Sequence, residues 1–167
     1  MLTGSGDYDW TSDMARKGFK WDESSSAQAN ARACLPGMAK AYFKAGRKVI
    51  KTPSSLDATH ELRLKTKAFR YALEIFRSCY GPALDRRLAA LRTIQDDLGA
   101  ISDYATTRKL IDSKLPAEAP ERVKVDRYLE ACAKRRLLRF SRYWQEIFDQ
   151  PGQDRQWLRY LSLPSSN

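Results

Sequence analysis

The chain has 167 residues, 43% of them hydrophobic, which suffices for one buried core and most simply one domain. Thirty Lys and Arg against twenty Asp and Glu give a formal charge of +10 at pH 7, an excess that favours acidic partners but says nothing about fold. No run approaches the roughly 18 apolar residues of a bilayer span, and no apolar stretch near the start suits a signal peptide, so a cytoplasmic location is expected.

Residues 1–24 read as irregular, with Gly4, Gly6 and Gly18 among five acids and three bases. Met14-Ala-Arg-Lys has the look of a fresh N-terminus, so residues 1–13 are set apart as tag-like. The helical domain is expected over residues 25–163, with 164–167 as a tail. A first helix is predicted from Ala27 to Ile50, with Ala31, Leu35, Met38, Tyr42 and Val49 inward and Pro36-Gly37 as a split or kink. Thr52-Pro53-Ser54-Ser55 breaks the chain, and Ser54, Ser55 or Asp57 can cap a second helix running to Tyr80 before Gly81-Pro82. A third helix is predicted over Ala83–Ser113, with Leu84, Leu88, Leu91, Leu98 and Ile101 as core. Gly99 inside it points to close helix packing or a bend, since glycine costs about 1 kcal/mol there relative to alanine. After the Lys114–Pro120 loop, a fourth helix is expected over Glu121–Phe148, with Tyr128, Leu137, Phe140, Trp144 and Phe148 as core. Trp157, Leu158, Tyr160 and Leu161 read as a short docking helix after Pro151-Gly152. No strand pattern occurs, so the fold class is all-α, a bundle of four long helices.

The positive charge is unevenly placed. Residues 25–56 carry Arg32, Lys40, Lys44, Arg47, Lys48 and Lys51 without one acid, and residues 134–142 carry Lys134, Arg135, Arg136, Arg139 and Arg142, again without one. On the second helix, His60, Arg63, Lys67 and Arg70 follow spacings of three, four and three, which gathers them on one side at about 100° per residue. Leu62, Phe69, Leu73, Phe76 and Tyr80 fall on the other. One face is therefore built to be buried, and the other offers a row of cations to a partner with regularly spaced negative charge. Glu74 is the acid continuing that row, and Glu61 is assignable to the helix N-terminus. Cys34, Cys79 and Cys132 are odd in number and widely spaced, and read as small buried residues of a reducing compartment.

The same stretch, His60-x-Leu-Arg63-x-Lys65-x-Lys67-x-x-Arg70-Tyr71-x-Leu73-Glu74, resembles the signature helix of the CHAD family, the conserved-histidine α-helical domains. Ile94-Gln95-Asp96-Asp97-Leu98-Gly99, followed by Asp103, resembles that family's second motif, and Asn30 to Arg47 resembles its lead-in helix. Together the matches span roughly residues 27–148. The resemblance implies an all-helical domain that binds inorganic polyphosphate through basic residues, with His60, Arg63, Lys65, Lys67 and Arg70 as the contacts. Lys65 points toward the core side of the ideal wheel, so its place in this set comes from the resemblance. Arg135, Arg139 and Arg142 of the fourth helix are added as a second cluster, facing either solvent or a partner. Arg136 can pair with an acid of another helix instead. Family members usually contain two such halves, and this chain has one His-x-x-Arg helix and one histidine. A homodimer would rebuild the missing half, because an isologous interface presents the same patch twice.

No metal site, cofactor or catalytic centre is expected. Gln95, Asp96, Asp97 and Asp103 read as groups that orient neighbouring cations, and Gly46-Arg47-Lys48 lacks the spacing of a phosphate-gripping loop. The rival readings are a nucleic-acid binder, with Tyr42, Tyr71 and Trp144 near the basic helices, and an accessory module of a phosphate-metabolising enzyme. The polyphosphate reading carries an expected association with polyphosphate granules.

Overall fold

The computed structural model describes residues 21–53, 55–116 and 118–163, and all of its regular structure is helical. The segment set apart as residues 1–13 and the tail 164–167 lie outside the described residues. Among the described residues five α-helices follow one another: α1 Ala27–Lys51, α2 Leu56–Ile75, α3 Ala83–Lys114, α4 Pro120–Tyr143 and α5 Gln153–Ser162. Packing runs in sequence, with α2 between α1 and α3, α4 against α3, and α5 returning to lie on α1. The all-α class and the four long helices are as the periodicity predicts.

Helix starts follow from local chemistry. Ser26 and Ser55 cap α1 and α2, their hydroxyl oxygens accepting from Ala29 N–H and Ala58 N–H at 3.2 Å each, which satisfies donors that a helix start leaves open. Pro120 occupies the first position of α4, where its missing N–H is no loss. Gly152 enters α5 at φ +87°, a left-handed conformation that glycine adopts without strain.

Four expectations are corrected. Pro36 does not split α1, which runs unbroken through it. Its neighbours Ala31, Cys34, Leu35 and Ala39 are all buried, so packing holds the helix where one backbone hydrogen bond is missing. α2 stops at Ile75 rather than Tyr80, because Arg77–Cys79 tighten into a 3₁₀ turn that brings Phe76, Cys79 and Tyr80 into the core. Gly99 meets no close packing, since an added Cβ would find nothing within 4 Å. Tyr128, expected in the core, is 64% exposed on the outer side of α4.

The core joins aliphatic side chains of α1, α2 and α3 to an aromatic cluster that gathers residues of α1, α2, α4, α5 and the turn between the last two. Tyr42 and Phe43 of α1 meet Phe69 of α2 and Trp157 of α5, and Phe140 of α4 joins them through Trp144, all buried. Between α4 and α5, Trp144–Phe148 form a π-helical turn, closed by Asp149 N–H donating to Trp144 C=O at 2.7 Å. That turn sets both Trp144 and Phe148 against α1, their ring centroids 4.8 Å apart. Gly46 is the residue of α1 beneath the Trp144 indole, and the approach is so close that any Cβ would overlap the ring. Here the glycine serves packing, not a phosphate loop.

Candidate anion-binding clefts on either side of α2

The predicted residues do not form one surface; α2 divides them. His60, Arg63, Lys67 and Arg70 look toward α3, whereas Lys65 looks toward α1. On the α3 side, a recess of about 350 Å³ is lined by His60 and Arg63 from α2 and by Leu98, Ser102 and Lys109 from α3. Arg63 also lines the next recess, of about 310 Å³, together with Lys67, Gln95, Asp96, Gly99 and Asp103. The two recesses share Arg63 and follow one another along the α2–α3 seam. The open space over Gly99 belongs to it, which gives that glycine a place where the packing argument gave none.

Along this seam the cations differ in how free they are. Arg63 and Lys67 make no ion pair among the described residues. Arg70 is committed: its Nε donates to Gln95 Oε1 at 2.8 Å and its Nη1 to Glu74 Oε1 at 2.5 Å, while its guanidinium lies 4.5 Å from the Tyr71 ring centroid. Glu74 is shared with Arg92 of α3 at 3.4 Å, so one carboxylate at the far end of the row is divided between two guanidinium groups. Lys109 is a cation of this seam that sequence reasoning missed; its helical phase relative to Ser102 and Gly99 was the available signal. Asp57, Asp96 and Asp103 line the same seam and offset part of its charge.

The α4 cluster also separates. Asp97, 1% exposed, accepts from Arg139 Nε at 2.7 Å and pairs with Arg136 Nη1 at 3.3 Å. Hydrogen bonding to Tyr104 and then to Asp97 holds the Arg136 guanidinium above its ordinary pKa. Asp97 thus does what the sequence suggested for this motif, orienting cations of a neighbouring helix, as Gln95 does for Arg70. Arg135 lies against the Cys132 sulfur at 3.0 Å and lines a recess of about 350 Å³ with Tyr104, Tyr128, Arg136 and Arg139. Arg142 is exposed and unpaired among the described residues. Arg139, expected to face solvent or a partner, keeps 56% of its side chain exposed and also reaches sideways to Asp97 of α3.

On the α1 side of α2 lies the larger hollow, about 830 Å³, between α1, α2 and α5. Lys40, Lys44, Arg47, Lys48, Lys51 and Lys65 line it, against Glu61 and Asp154. Glu61 does not serve the helix N-terminus as expected. It pairs with Lys65 at 3.1 Å and Lys48 at 3.6 Å, and these cations, Lys65 first, hold its carboxyl below the usual range. Arg47 is clamped by Asp149 at 2.6 Å and Asp154 at 2.9 Å. Those acids lie a hundred residues away, so the acid-free stretch of α1 gave no hint of them. No group of three or more His, Cys, Asp or Glu is placed to hold a metal ion among the described residues. No described helix is long and apolar enough to cross a membrane.

The class is thus an all-α bundle with cation-lined clefts on both sides of its second helix. A family model, the CHAD domain, matches residues 9–112, well over half of the chain, and the protein belongs to the CHAD family. No curated protein and no solved structure matches it.

Proposed function

We propose that this protein binds inorganic polyphosphate along the α2–α3 seam and does not turn it over. The observation that carries the reading is the open seam in which Arg63 and Lys67 stand beside His60 without ion-pair partners among the described residues, in a chain of the CHAD family. Arg63 suits forked contact with phosphate oxygens, and Lys67 acts as a point charge. Each contact is local and repeatable, so affinity rises with chain length. It falls steeply with salt as counterions are no longer released to advantage. Arg70, already satisfied by Gln95 and Glu74, positions Tyr71 and the seam rather than serving as a free contact. Two copies pairing through the outer face of α2, where Tyr71 and Ile75 are exposed beside the cations, would set two such rows together; light scattering showing a monomer at working concentration would oppose that pairing.

The nucleic-acid alternative needs aromatic faces for bases to stack on. Tyr42 and Trp144 are buried at 1% exposure, and Tyr71 already carries the Arg70 guanidinium. The test is binding of long-chain polyphosphate at about 0.15 M salt, beside single-stranded DNA and heparin at equal anionic charge. Selective binding that falls roughly tenfold or more in Arg63→Glu/Lys67→Glu is the expected result. Equal affinity for all three polymers, or binding that survives the charge reversal, would defeat the reading.

A further inference from the structure

We propose a second, separate anion site in the α1–α2–α5 hollow, for a compact phosphoanion carrying three or more charges. Lys40, Lys44, Lys48 and Lys51 recur at spacings of four, four and three, forming a stripe about 16 Å long on one side of α1. Like charges at a spacing of four on a helix repel and weaken it, and a bound anion would reverse that penalty. Lys40, Lys44 and Lys51 make no ion pair among the described residues. The acids of the hollow are already taken, Glu61 by Lys65 and Lys48, and Asp154 by Arg47. Positive charge is therefore left over here in larger surplus than in the α2–α3 seam, where three aspartates face the cations.

Shape adds what charge alone does not. The lysines stand around a concave floor that includes Phe43, Ala45 and Leu158, and its volume of about 830 Å³ falls in the range of small-molecule sites. Lysine stems can lie along such a floor while their ammonium groups converge on one ligand. A triphosphate group satisfies this arrangement, whether bare or carried by a nucleotide whose base rests on the apolar floor.

The site stands independently of the polyphosphate reading, since Arg63 and Lys67 lie on the other side of α2. The experiment is calorimetric titration of the full chain with inorganic tripolyphosphate and, separately, with ATP. It is run on the wild type, on Lys44→Glu/Lys51→Glu, on the milder Lys44→Gln/Lys51→Gln, and on Arg63→Glu/Lys67→Glu. Thermal melts confirm that each variant is folded. Expected is one tripolyphosphate or ATP per chain, weakened at least roughly tenfold by the Lys44/Lys51 charge reversal, less by the glutamines, and unchanged by the Arg63/Lys67 variant. Tighter binding of ATP would assign the ligand as a nucleotide, and tighter binding of tripolyphosphate as bare phosphate. No binding of either probe, or a loss confined to the Arg63/Lys67 variant, would overturn the proposal.

Discussion

Replacing glycine by alanine at three helical positions should give opposite signs, and the structure says which. At Gly46 the new Cβ would sit 2.1 Å from Cη2 and Cζ2 of Trp144 and 2.6 Å from Cε2. Carbon atoms pack at about 3.5–4.0 Å, so the indole or the helix would have to retreat by about 1.5 Å. Neither can do so freely. Trp144 is 1% exposed, with ring centroids of Tyr42, Phe43, Phe140 and Phe148 all within 6.0 Å, and its Nε1 donates to Asp149 Oδ2 at 3.1 Å. Overpacking of this kind costs about 1–3 kcal/mol and sometimes more, offset by the ~1 kcal/mol that alanine gains over glycine in a helix. Gly46→Ala should therefore destabilise by about 1–2 kcal/mol, lowering Tm by roughly 2–8 °C for a chain of this size. Gly37→Ala and Gly99→Ala meet nothing within 4 Å and should stabilise by up to ~1 kcal/mol. Chemical denaturation of the three variants measures this directly. Adding Trp144→Phe to Gly46→Ala should recover part of the loss, a coupling of about 0.5 kcal/mol or more. A Gly46→Ala protein as stable as the wild type, or no coupling to Trp144, would refute the packing argument.

Four other perturbations test other parts of the molecule. Asp97→Ala should cost about 2–3 kcal/mol in denaturant titrations, because it removes charge-assisted bonds to Arg136 and Arg139 from a buried site. Asp96→Ala and Asp103→Ala, both exposed, should change stability by less than about 0.5 kcal/mol, and each should tighten polyphosphate binding roughly twofold by removing negative charge beside Arg63 and Lys67. Burial pushes the Cys34 thiol up to about 12 and raises the Tyr42 and Tyr80 hydroxyls as well. Their contribution to stability is whole below the unfolded pKa of about 8.5 for cysteine and 10 for tyrosine and is lost as pH rises toward the folded values, so melts should shift down between pH 9 and 11 and an unchanged Tm at pH 11 would contradict this. His60→Ala should weaken polyphosphate binding about threefold by removing one hydrogen bond to phosphate; a variant that binds as the wild type does would remove His60 from the contact set.

Much of the fold was legible because it is written locally. Helical periodicity placed Leu62, Phe69 and Leu73 inward, Ser55 marked the start of α2, and Gly81-Pro82 separated it from α3. Errors arose where distant residues decide. Pro36 is outweighed by buried neighbours on both sides, and Tyr128 has the right phase for a core residue but no helix packed over it. The site was half legible for the same reason. A wheel shows which cations share a face but not what faces them, so the capture of Arg70 by Gln95, Arg139 by Asp97 and Arg47 by Asp149 could not be read from any single helix. Lys65 is the instructive case: the wheel set it apart, and the structure places it across the helix beside Glu61.

The aromatic plug has a consequence for how the chain is made. The matched CHAD segment stops at residue 112, yet Tyr42 and Phe43 are covered by Trp144, Phe148 and Trp157, and Tyr80 donates its hydroxyl proton to Leu161 C=O at 2.8 Å. α1 is synthesised before the segments that cover it, and Arg47 finds its partner 102 residues downstream. On the ribosome its apolar side stays open until nearly the whole domain has emerged, a high-separation closure that slows folding compared with bundles of nearest neighbours. A fragment cut at the family boundary would keep that side open permanently and should aggregate, so any shortened version must run through α5.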